Sequence, residues 1–355
     1  MNKKLIAAAI AAVMAAPVVS AADTTLYGKA HVDIRSEDTG SSDNYSANSN
    51  ASRIGIKGSE DLGDGLKAIF QFEMQYDMTD SAGSDDLLKS RNSFVGLSGG
   101  FGTFLVGKHD TPAKWALNAT KLSKVSDSIV DFENSNGFSE VRANDAIAYI
   151  SPSFSGFTVA AAIIPGEETG NVTTTKTAGL NAAKTAVVVN TNTNANAADG
   201  LADAYSLGAM YSGGGLKVGV GYEVFSDSIY GGGAAGDQKM WQVTAAYTFG
   251  DFMVGGAYEN TDDFGGRNGD EAETWALHAR AAFGNNYAFV QYGNDEHKLA
   301  AGSSGTAVDD ETFGIGVGHK FSKRTQVYAA YKNVDNGLVG GQDEDAFALG
   351  MVHDF

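Results

Sequence analysis

Residues 26–35 read LYGKAHVDIR and alternate strictly between two kinds of side chain. The even positions hold small or apolar residues, and the odd positions hold Tyr27, Lys29, His31, Asp33 and Arg35. Side chains of a β-strand point alternately to opposite faces, so this period of two predicts a strand with one apolar and one polar face. The same alternation returns at residues 66–77, 216–224, 241–249, 275–283 and 313–321.

About sixteen such segments can be counted along the chain. They lie near residues 25–35, 51–59, 65–77, 90–99, 102–109, 142–151, 155–164, 204–212, 215–226, 238–249, 251–261, 272–284, 286–297, 310–321, 324–334 and 344–355. Each is near the roughly ten residues that a tilted strand needs to cross a membrane. Short turns alternate with longer connections, which cover residues 36–50, 78–89, 110–141, 165–203, 227–237, 262–271, 298–309 and 335–343. This layout predicts an all-β fold, a sixteen-stranded antiparallel transmembrane β-barrel.

Two other all-β folds fit the pattern less well. A soluble β-sandwich also alternates, but its strands would not end repeatedly in Tyr, Phe or Trp, and its loops would not sort by length between its two ends. A β-solenoid would show a fixed short repeat, which this chain lacks. An open sheet edge cannot satisfy its hydrogen bonds in lipid, so the predicted sheet closes on itself.

Residues 1–22 have the composition of a secretory signal peptide. Lys3 and Lys4 form a positive start, an apolar stretch spans residues 5–13, and small residues follow up to Ala21 and Ala22. The apolar stretch is shorter than the ~20 residues of a membrane anchor. The sequence therefore predicts export, with a cleaved signal peptide over residues 1–22 and a barrel over residues 23–355.

The composition excludes several classes of function. The chain has 25 basic and 43 acidic residues, a formal net charge of −18, and no Cys. So acidic a surface repels nucleic acid, and without Cys there are no disulfides, thiolate metal sites or thiol catalysis. Residues 96–100 match G-x-S-x-G, but a strand follows where a nucleophile elbow needs a helix. No two His residues have the spacing of metal ligands, so we expect no metal site. Because the nucleophile motif is excluded as well, we expect no enzyme activity and no cofactor.

The segment from His109 to Arg142 breaks the alternation. Its apolar residues are Trp115, Leu117, Leu122, Val125, Ile129, Val130, Phe132 and Phe138, and its acids include Asp127, Asp131 and Glu133. We interpret this segment as a loop that folds into the barrel and narrows a water-filled pore. These acids would then face basic residues on the opposite wall.

Four stretches resemble the general porins of Gram-negative outer membranes. They are TLYGKAHVDI from residue 25, SRIGIKGSEDLGDGLKAIFQFE from residue 52, RNSFVGLSGGFGTFLVGK from residue 91 and RANDAIAYISPSFSGF from residue 142. Matches to strand motifs of this family run from the first strand to the last. The resemblance implies a trimeric sixteen-stranded barrel whose third external loop folds inward as an eyelet. It also implies an outer-membrane porin, a water-filled channel for passive diffusion of ions and small hydrophilic solutes.

The resemblance further implies a basic wall for the pore constriction. The family's lysine in the first strand falls on Lys29, and its arginines fall on Arg53, Arg91 and Arg142. Lys29 lies on the polar face by alternation alone. The family's loop carries acids opposite this wall, although the Pro-Glu-Phe-Gly-Gly tip of the enterobacterial members is absent here. The three acids named above are therefore assigned to the acidic side, where opposed charges would set a field that favours small polar solutes.

The chain's end resembles a recognition signal. Alternate positions of the last strand hold Phe347, Leu349, Met351, His353 and Phe355. This pattern resembles the carboxy-terminal signal that the barrel assembly machinery of the outer membrane recognises. The expected partners are that machinery, outer-membrane lipid and lipopolysaccharide. The family implies a homotrimer, for which small residues on the outer face of early strands give modest support, namely Gly28, Ala30 and Gly58.

Other functions stay open from the sequence. A substrate-specific porin, for example for oligosaccharides, would need a ladder of aromatic residues in the lumen, and Tyr27 and Phe289 are too few to argue it. A barrel acting as an adhesin would depend on its long loops, and an enzyme would need a carboxylate and a His converging at one rim. Ion selectivity is also open, because acids crowd the predicted loops while the polar strand faces carry many bases.

Overall fold

The structure, a computed structural model, describes residues 23–40, 42–79, 88–166, 200–226, 236–338 and 341–355. Its strand segments are β1 (Asp23–Asp38), β2 (Asp43–Ser49), β3 (Arg53–Gly63), β4 (Leu66–Tyr76), β5 (Leu88–Gly99), β6 (Gly102–Asp110), β7 (Arg142–Ile150), β8 (Phe157–Ile164), β9 (Ala204–Gly213), β10 (Leu216–Phe225), β11 (Gln238–Phe249), β12 (Phe252–Asp262), β13 (Glu271–Phe283), β14 (Asn286–Lys298), β15 (Val308–Lys320), β16 (Thr325–Asn336) and β17 (Glu344–Asp354). The helices are α1 (Pro112–Asn118), α2 (Phe132–Ser135) and a 3-10 turn at Phe264–Gly266. In this part of the chain no helix is long and apolar enough to cross a membrane. The predicted signal peptide lies outside the described residues.

All 17 segments form one antiparallel sheet that closes on itself. β1 pairs with β17, from Lys29 opposite Asp354 to Asp38 opposite Asp345. β2 and β3 lie end to end against β1, because β2 pairs with the second half of β1 and β3 with the first half. They form one broken barrel strand, so the segments make a closed barrel of sixteen antiparallel strands, and this part of the prediction is confirmed.

The prediction of a loop over residues 36–50 is wrong. β1 continues to Asp38 and β2 returns from Asp43, so the connection covers only residues 39–42. The hairpin is polar on both faces, which left no hydrophobic period of two in the sequence. The break between β2 and β3 is bridged by Ser52, whose hydroxyl accepts a hydrogen bond from the His31 N–H and donates one to the His31 carbonyl, each at 3.0 Å.

Burial in the barrel is the reverse of that in a water-soluble protein. Gln242, Thr244 and Gln291 are at most 2 % exposed, whereas Leu277 and Leu349 are 60 % and 53 % exposed. Exposed apolar and buried residues alternate along strands such as β11 and β13. The apolar face is therefore the one that lipid solvates, and the polar face points into the barrel.

The segment between β6 and β7, residues 111–141, packs against that polar face. One buried cluster contains Leu117, Leu122, Phe132 and Phe138 with the wall residues Ala246, Met253, Ala257 and Ala276. A second contains Val125, Ile129 and Val130 with wall residues that include Tyr287, Phe289 and Tyr328. Burying one large apolar side chain stabilises by about 1.5 to 3 kcal/mol, so the two clusters together hold the segment firmly to the wall.

Helix α1 lies directly on strands β9 to β11. A Cβ at Gly219 of β10 would lie 1.9 Å from the Ala116 carbonyl oxygen, so only glycine permits this approach. The Ala113 N–H donates to the Ser206 hydroxyl at 3.0 Å, and the Gln242 amide donates to the Ala113 carbonyl at 2.6 Å. The helix is thereby fixed to three neighbouring strands.

Candidate pore constriction

Asp127 links the segment 111–141 to the wall. Its Oδ2 accepts a hydrogen bond from Arg53 Nη2 at 3.2 Å and lies 3.9 Å from Lys29 Nζ. Arg53 of β3 and Lys29 of β1 are register partners. Burial raises the pKa of the Asp127 carboxyl, but Arg53 and Lys29 outweigh burial and hold the pKa below its ordinary value. Asp127 is therefore an anion at neutral pH, and the structure brings three of the predicted residues together.

Arg91 of β5 is paired within the wall. Its Nε donates to Glu73 Oε1 at 2.7 Å, and its Nη1 donates to Gln75 Oε1 at 3.2 Å. The second oxygen of Glu73 accepts a hydrogen bond from the Tyr27 hydroxyl at 2.8 Å. An acid of the wall therefore offsets part of the charge of Arg91.

Arg142, at the start of β7, is paired in the same way with Asp110 at the end of β6. Arg142 Nη2 lies 2.8 Å from Asp110 Oδ1, and Arg142 Nε donates to Asn92 Oδ1 at 2.7 Å. Lys114 of α1 lies 3.4 Å from the same Asp110 oxygen and 3.6 Å from Glu140. A chain of alternating charges therefore runs from the wall onto the segment.

Asp131 and Glu133 are not brought to the basic wall. Asp131 is the N-cap of α2, and its carboxylate accepts hydrogen bonds from the N–H groups of Asp127, Glu133 and Asn134. Burial raises the pKa of Asp131 to about 6, and burial together with Asp131 raises the pKa of Glu133. Neither Asp131 nor Glu133 takes part in an ion pair among the described residues. These two acids shape the segment, and of the three predicted acids only Asp127 meets basic residues.

A polar cavity of about 800 Å³ lies between the segment and the wall. Its charged lining consists of the bases Lys89, Arg91, Lys108, Lys114 and Arg142 and the acids Asp127 and Glu140. Lys89 and Lys108 form no ion pair within the described part of the chain. The lining therefore has a surplus of positive charge, which attracts anions.

Two wall carboxylates hold the ends of the segment. At its carboxyl end, the Ser139 N–H lies 3.2 and 3.0 Å from the two Glu259 oxygens, and the Ser139 hydroxyl donates to Oε1 at 2.6 Å. At its amino end, Glu223 accepts hydrogen bonds from Thr111 and Ser206. Both glutamates are 1 % exposed. The segment is thus fixed at its ends as well as along its apolar side.

Glu73, Asp110 and Glu140 belong to this site but were not predicted as members. Glu73 lies on the polar face of its strand by alternation, and this signal could have found it. Asp110 and Glu140 lie within the non-alternating stretch from His109 to Arg142, where no period of two fixes the direction of a side chain. Among the described residues, no group of His, Asp or Glu is arranged to hold a metal ion.

The residues of the predicted carboxy-terminal signal lie along β17, except Phe355, which follows it directly. The four large apolar ones are between 44 % and 53 % exposed, namely Phe347, Leu349, Met351 and Phe355. His353 Nδ1 lies 2.9 Å from the Thr325 hydroxyl of β16. The last strand therefore presents its apolar side chains on the outer face.

Comparison with known families decides what this barrel is. A family model described as Gram-negative porin matches residues 7–337. The chain belongs to the Gram-negative porin family. This porin resides in the outer membrane and forms a water-filled channel through which ions and small hydrophilic solutes diffuse passively.

Named relatives and solved structures agree with this membership. The porin is 27 % identical over 410 residues to major outer membrane protein P.IA of Neisseria meningitidis serogroup B strain MC58, with 100 % of both chains covered. It is 39 % identical over 166 residues to major outer membrane protein P.IB of N. meningitidis serogroup B, covering 44 % of this chain and 47 % of that protein.

Solved porins share the same fold. The anion-selective porin from Comamonas acidovorans matches with a TM-score of 0.68 at 22 % identity, over 94 % of this chain and 100 % of that one. Salmonella typhi OmpF, solved in complex with daunomycin, matches with a TM-score of 0.69 at 16 % identity, over 94 % and 98 %.

Proposed function

We propose that solutes cross the barrel between the inward-folded segment 111–141 and the wall formed by β2 to β7, and that this passage prefers anions. The observation that carries the proposal is the cavity between these two surfaces, whose lining has five basic and two acidic side chains. The other side of the segment packs directly against the wall, and apolar side chains fill the space between them. The constriction then consists of Asp127 on the segment, of Arg91 and Arg142 on the lining of the cavity, and of Lys29 on β1 and Arg53 on β3, which pair with Asp127.

The pairing of the bases explains which of them set the preference. Glu73 lies 2.7 Å from Arg91, and Asp110 lies 2.8 Å from Arg142. Because each acid offsets the charge of its arginine, these pairs add little net positive charge to the passage. Lys89 and Lys108, which form no ion pair among the described residues, supply the net positive charge of the lining. One solved porin of this fold, from Comamonas acidovorans, is described as anion-selective, which supports the same preference here.

General diffusion fits the lumen better than a sugar-specific pathway. The inward aromatic residues Tyr287, Phe289 and Tyr328 are at most 4 % exposed, because Val125 and neighbouring residues of the segment cover them. Aromatic rings that are already buried cannot form the exposed ladder that an oligosaccharide would follow. We infer no catalytic role for this chain.

The remaining partners follow from the family and the outer face. We infer a homotrimer that is inserted among outer-membrane lipid and lipopolysaccharide, after export and removal of residues 1–22. The exposed apolar side chains of β17 suit recognition by the barrel assembly machinery. The apolar outer face supports the lipid contact.

A planar bilayer with a salt gradient tests the proposed passage. Purified porin is expected to give stepwise ohmic currents that close in thirds, with a reversal potential of the sign set by anion flow. Replacing the two unpaired bases, Lys89→Gln with Lys108→Gln, should lower the ratio of anion to cation permeability.

The matched control is Lys239→Gln with Lys298→Gln, which removes two bases at strand ends away from the cavity. This control should keep the wild-type reversal potential. A cation-preferring wild-type channel, or equal effects of the two double variants, would contradict the proposed anion preference.

A further inference from the structure

An apolar groove crosses the outer face of the barrel where the first and last strands meet. It has a volume of about 810 Å³ and runs over β14, β15, β16, β17, β1 and β2. Its lining includes the exposed apolar side chains Val317, Leu349 and Ile34. We refer to it as the closure groove.

The strand register gives the direction of the closure groove. One row of register partners along it consists of Asn286, His319, Val327, Met351 and Val32. Asn286 is the first residue of β14, beside the turn at residues 284–285, whereas Val32 lies nine residues past the start of β1. The groove therefore begins at the turn end of the barrel and rises toward the loop end.

The length of the groove matches one leaflet of a membrane. Six strands that lie about 4.8 Å apart make it about 24 Å long. Barrel strands tilt by about 40°, so a line across them rises by about 15 Å over that length, which is half of a hydrocarbon core of about 30 Å. An acyl chain that starts at the turn end can therefore lie along the whole groove.

The floor of the groove is supported from inside the barrel. It includes the backbone at Gly318 and Gly350. A Cβ at Gly318 would clash with the Tyr287 ring, and a Cβ at Gly350 would clash with the Tyr328 ring, since these buried rings fill the space on the inner face. A groove whose floor is held by packed rings keeps its shape before a ligand arrives, which lowers the cost of binding.

The turn at the lower end of the groove is basic. It covers residues 321–324 and contains Lys323 and Arg324, both of them exposed. Of the short turns that join described strands, only this one carries a Lys or an Arg. Asp354 of β17 lies beside it, because its N–H donates to the Arg324 carbonyl at 2.8 Å, and the two bases outnumber this acid. Positive charge at the turn end is thus concentrated where the groove begins.

Two histidines stand beside the same turn on the outer face. His319 Nδ1 lies 2.8 Å from Asn286 Oδ1, and His353 Nδ1 lies 2.9 Å from the Thr325 hydroxyl. Among the described residues no hydrogen bond engages either Nε2. Each ring therefore presents a second nitrogen to a polar group at the end of the groove.

We propose that the closure groove binds one anionic phospholipid of the periplasmic leaflet, with an acyl chain along the groove and the phosphate at the basic turn. Short turns of outer-membrane barrels face the periplasm, so this end meets phospholipid headgroups. Lysine and arginine at a membrane surface attract anionic headgroups and form charge-assisted hydrogen bonds to phosphate oxygens. The inference rests on the lipid contact proposed above, and it does not depend on the proposed passage.

Native mass spectrometry of the purified porin tests the site. The porin is held in a maltoside detergent and titrated with phosphatidylglycerol or with phosphatidylcholine, which carry the same acyl chains and differ in the charge of the headgroup. We expect one phosphatidylglycerol to remain bound to each protomer, at about a tenfold lower lipid concentration than phosphatidylcholine requires.

One pair of substitutions tests the headgroup end. Lys323→Gln with Arg324→Gln should remove the preference for phosphatidylglycerol over phosphatidylcholine, because the charged donors to the phosphate are lost. Lys239→Gln with Lys298→Gln removes the same charge at the loop ends of β11 and β14 and should keep the preference.

A separate substitution tests the chain end and needs no change in charge. Ala329 lines the middle of the groove, so Ala329→Trp should fill it and weaken the retention of both lipids about tenfold. Ala245→Trp makes the same change on the exposed face of β11 and should leave retention unchanged.

The outcomes separate this site from other occupants and from the passage. Equal retention of the two lipids by the wild type, or retention that neither variant changes, would overturn the phospholipid site. If Ala329→Trp instead separates the protomers and leaves lipid retention unchanged, a second copy of the chain covers the groove, and the site is overturned as well. The reversal potential tests the passage independently, so a porin that retains lipid as expected but prefers cations would overturn only the passage.

Discussion

Gly28 and Phe355 exchange two backbone hydrogen bonds of 3.0 Å where the first strand meets the end of the chain. A Cβ at position 28 would lie 2.3 Å from Phe355 Cζ and 2.7 Å from the Arg53 carbonyl oxygen. The Phe355 ring therefore occupies the space of the side chain that Gly28 lacks. Closure must be complete in lipid, because an unpaired sheet edge has no water to bond.

Gly28→Ala is expected to destabilise the closed barrel. The new methyl group meets a ring and a backbone oxygen, and overpacking of this kind costs about 1 to 3 kcal/mol. Thermal unfolding in detergent micelles, followed by circular dichroism, measures the change. Gly100→Ala is the matched control, since a Cβ there meets nothing within 4 Å. Equal unfolding temperatures for the two variants would refute the tight contact.

Asp127→Asn is expected to increase anion preference. The substitution removes the acid that offsets Arg53 and Lys29 at 3.2 and 3.9 Å, so both bases act on the passage unopposed. The reversal potential in a salt gradient should shift further toward that of a purely anion-selective pore. Asp43→Asn removes one exposed acid at the far end of β2 and should change the potential much less. An unchanged potential in Asp127→Asn would place Asp127 outside the narrowest part.

Much of the barrel could be predicted because the sequence of most strands alternates between apolar and polar side chains. At residues 26–35 the alternation alone identified both faces of β1, and the burial of the strands agrees. The hairpin of β1 and β2 was missed because its residues are polar on both faces. The hairpin is held in place by pairing with neighbouring strands. The sequence of one segment alone does not show that pairing.

The constriction was less accessible to sequence reasoning. Family resemblance located Arg91 and Arg142, but their partners Glu73 and Asp110 depend on which side chains meet across strands. Asp131 resembled a pore acid in composition, yet it caps α2. Its orientation follows from the packing of the segment on the wall, and that packing has no period in the sequence.

Ser139→Ala is expected to loosen the inward segment. The serine hydroxyl donates to the buried Glu259 carboxylate at 2.6 Å, and losing a hydrogen bond to a charged group costs about 1.5 to 3 kcal/mol. The segment should then fluctuate more, which single-channel recording detects as greater open-channel noise and closure at lower voltage.

Ser98→Ala provides the comparison for that variant. Ser98 also bonds inside the barrel, to Thr103 at 2.9 Å, but it lies on β5 beside a short turn and does not touch the segment. Its noise and closing voltage should match those of the wild type. If both serine variants behave alike, the hydrogen bond to Glu259 does not control the segment.

Glu133→Gln is expected to weaken the dependence of stability on pH. Burial, and then Asp131, raise the pKa of Glu133 in the folded protein, and the pKa of Asp131 is raised to about 6. The folded state therefore holds protons that the unfolded chain has released above its ordinary pKa of about 4.3. This contribution to stability is complete below that value and is lost as pH rises through the raised values.

The unfolding temperature of the wild type should therefore fall as the pH rises from about 5 to about 7, and that of Glu133→Gln should fall less. Glutamine keeps a donor for the carboxylate of Asp131 but does not titrate, so the difference between the two curves isolates this one group from other buried acids. Glu60→Gln, which changes an exposed acid, should follow the wild-type curve. Parallel curves for the wild type and Glu133→Gln would mean that Glu133 is already ionised in the folded barrel, and the segment would then have to supply a counter-charge.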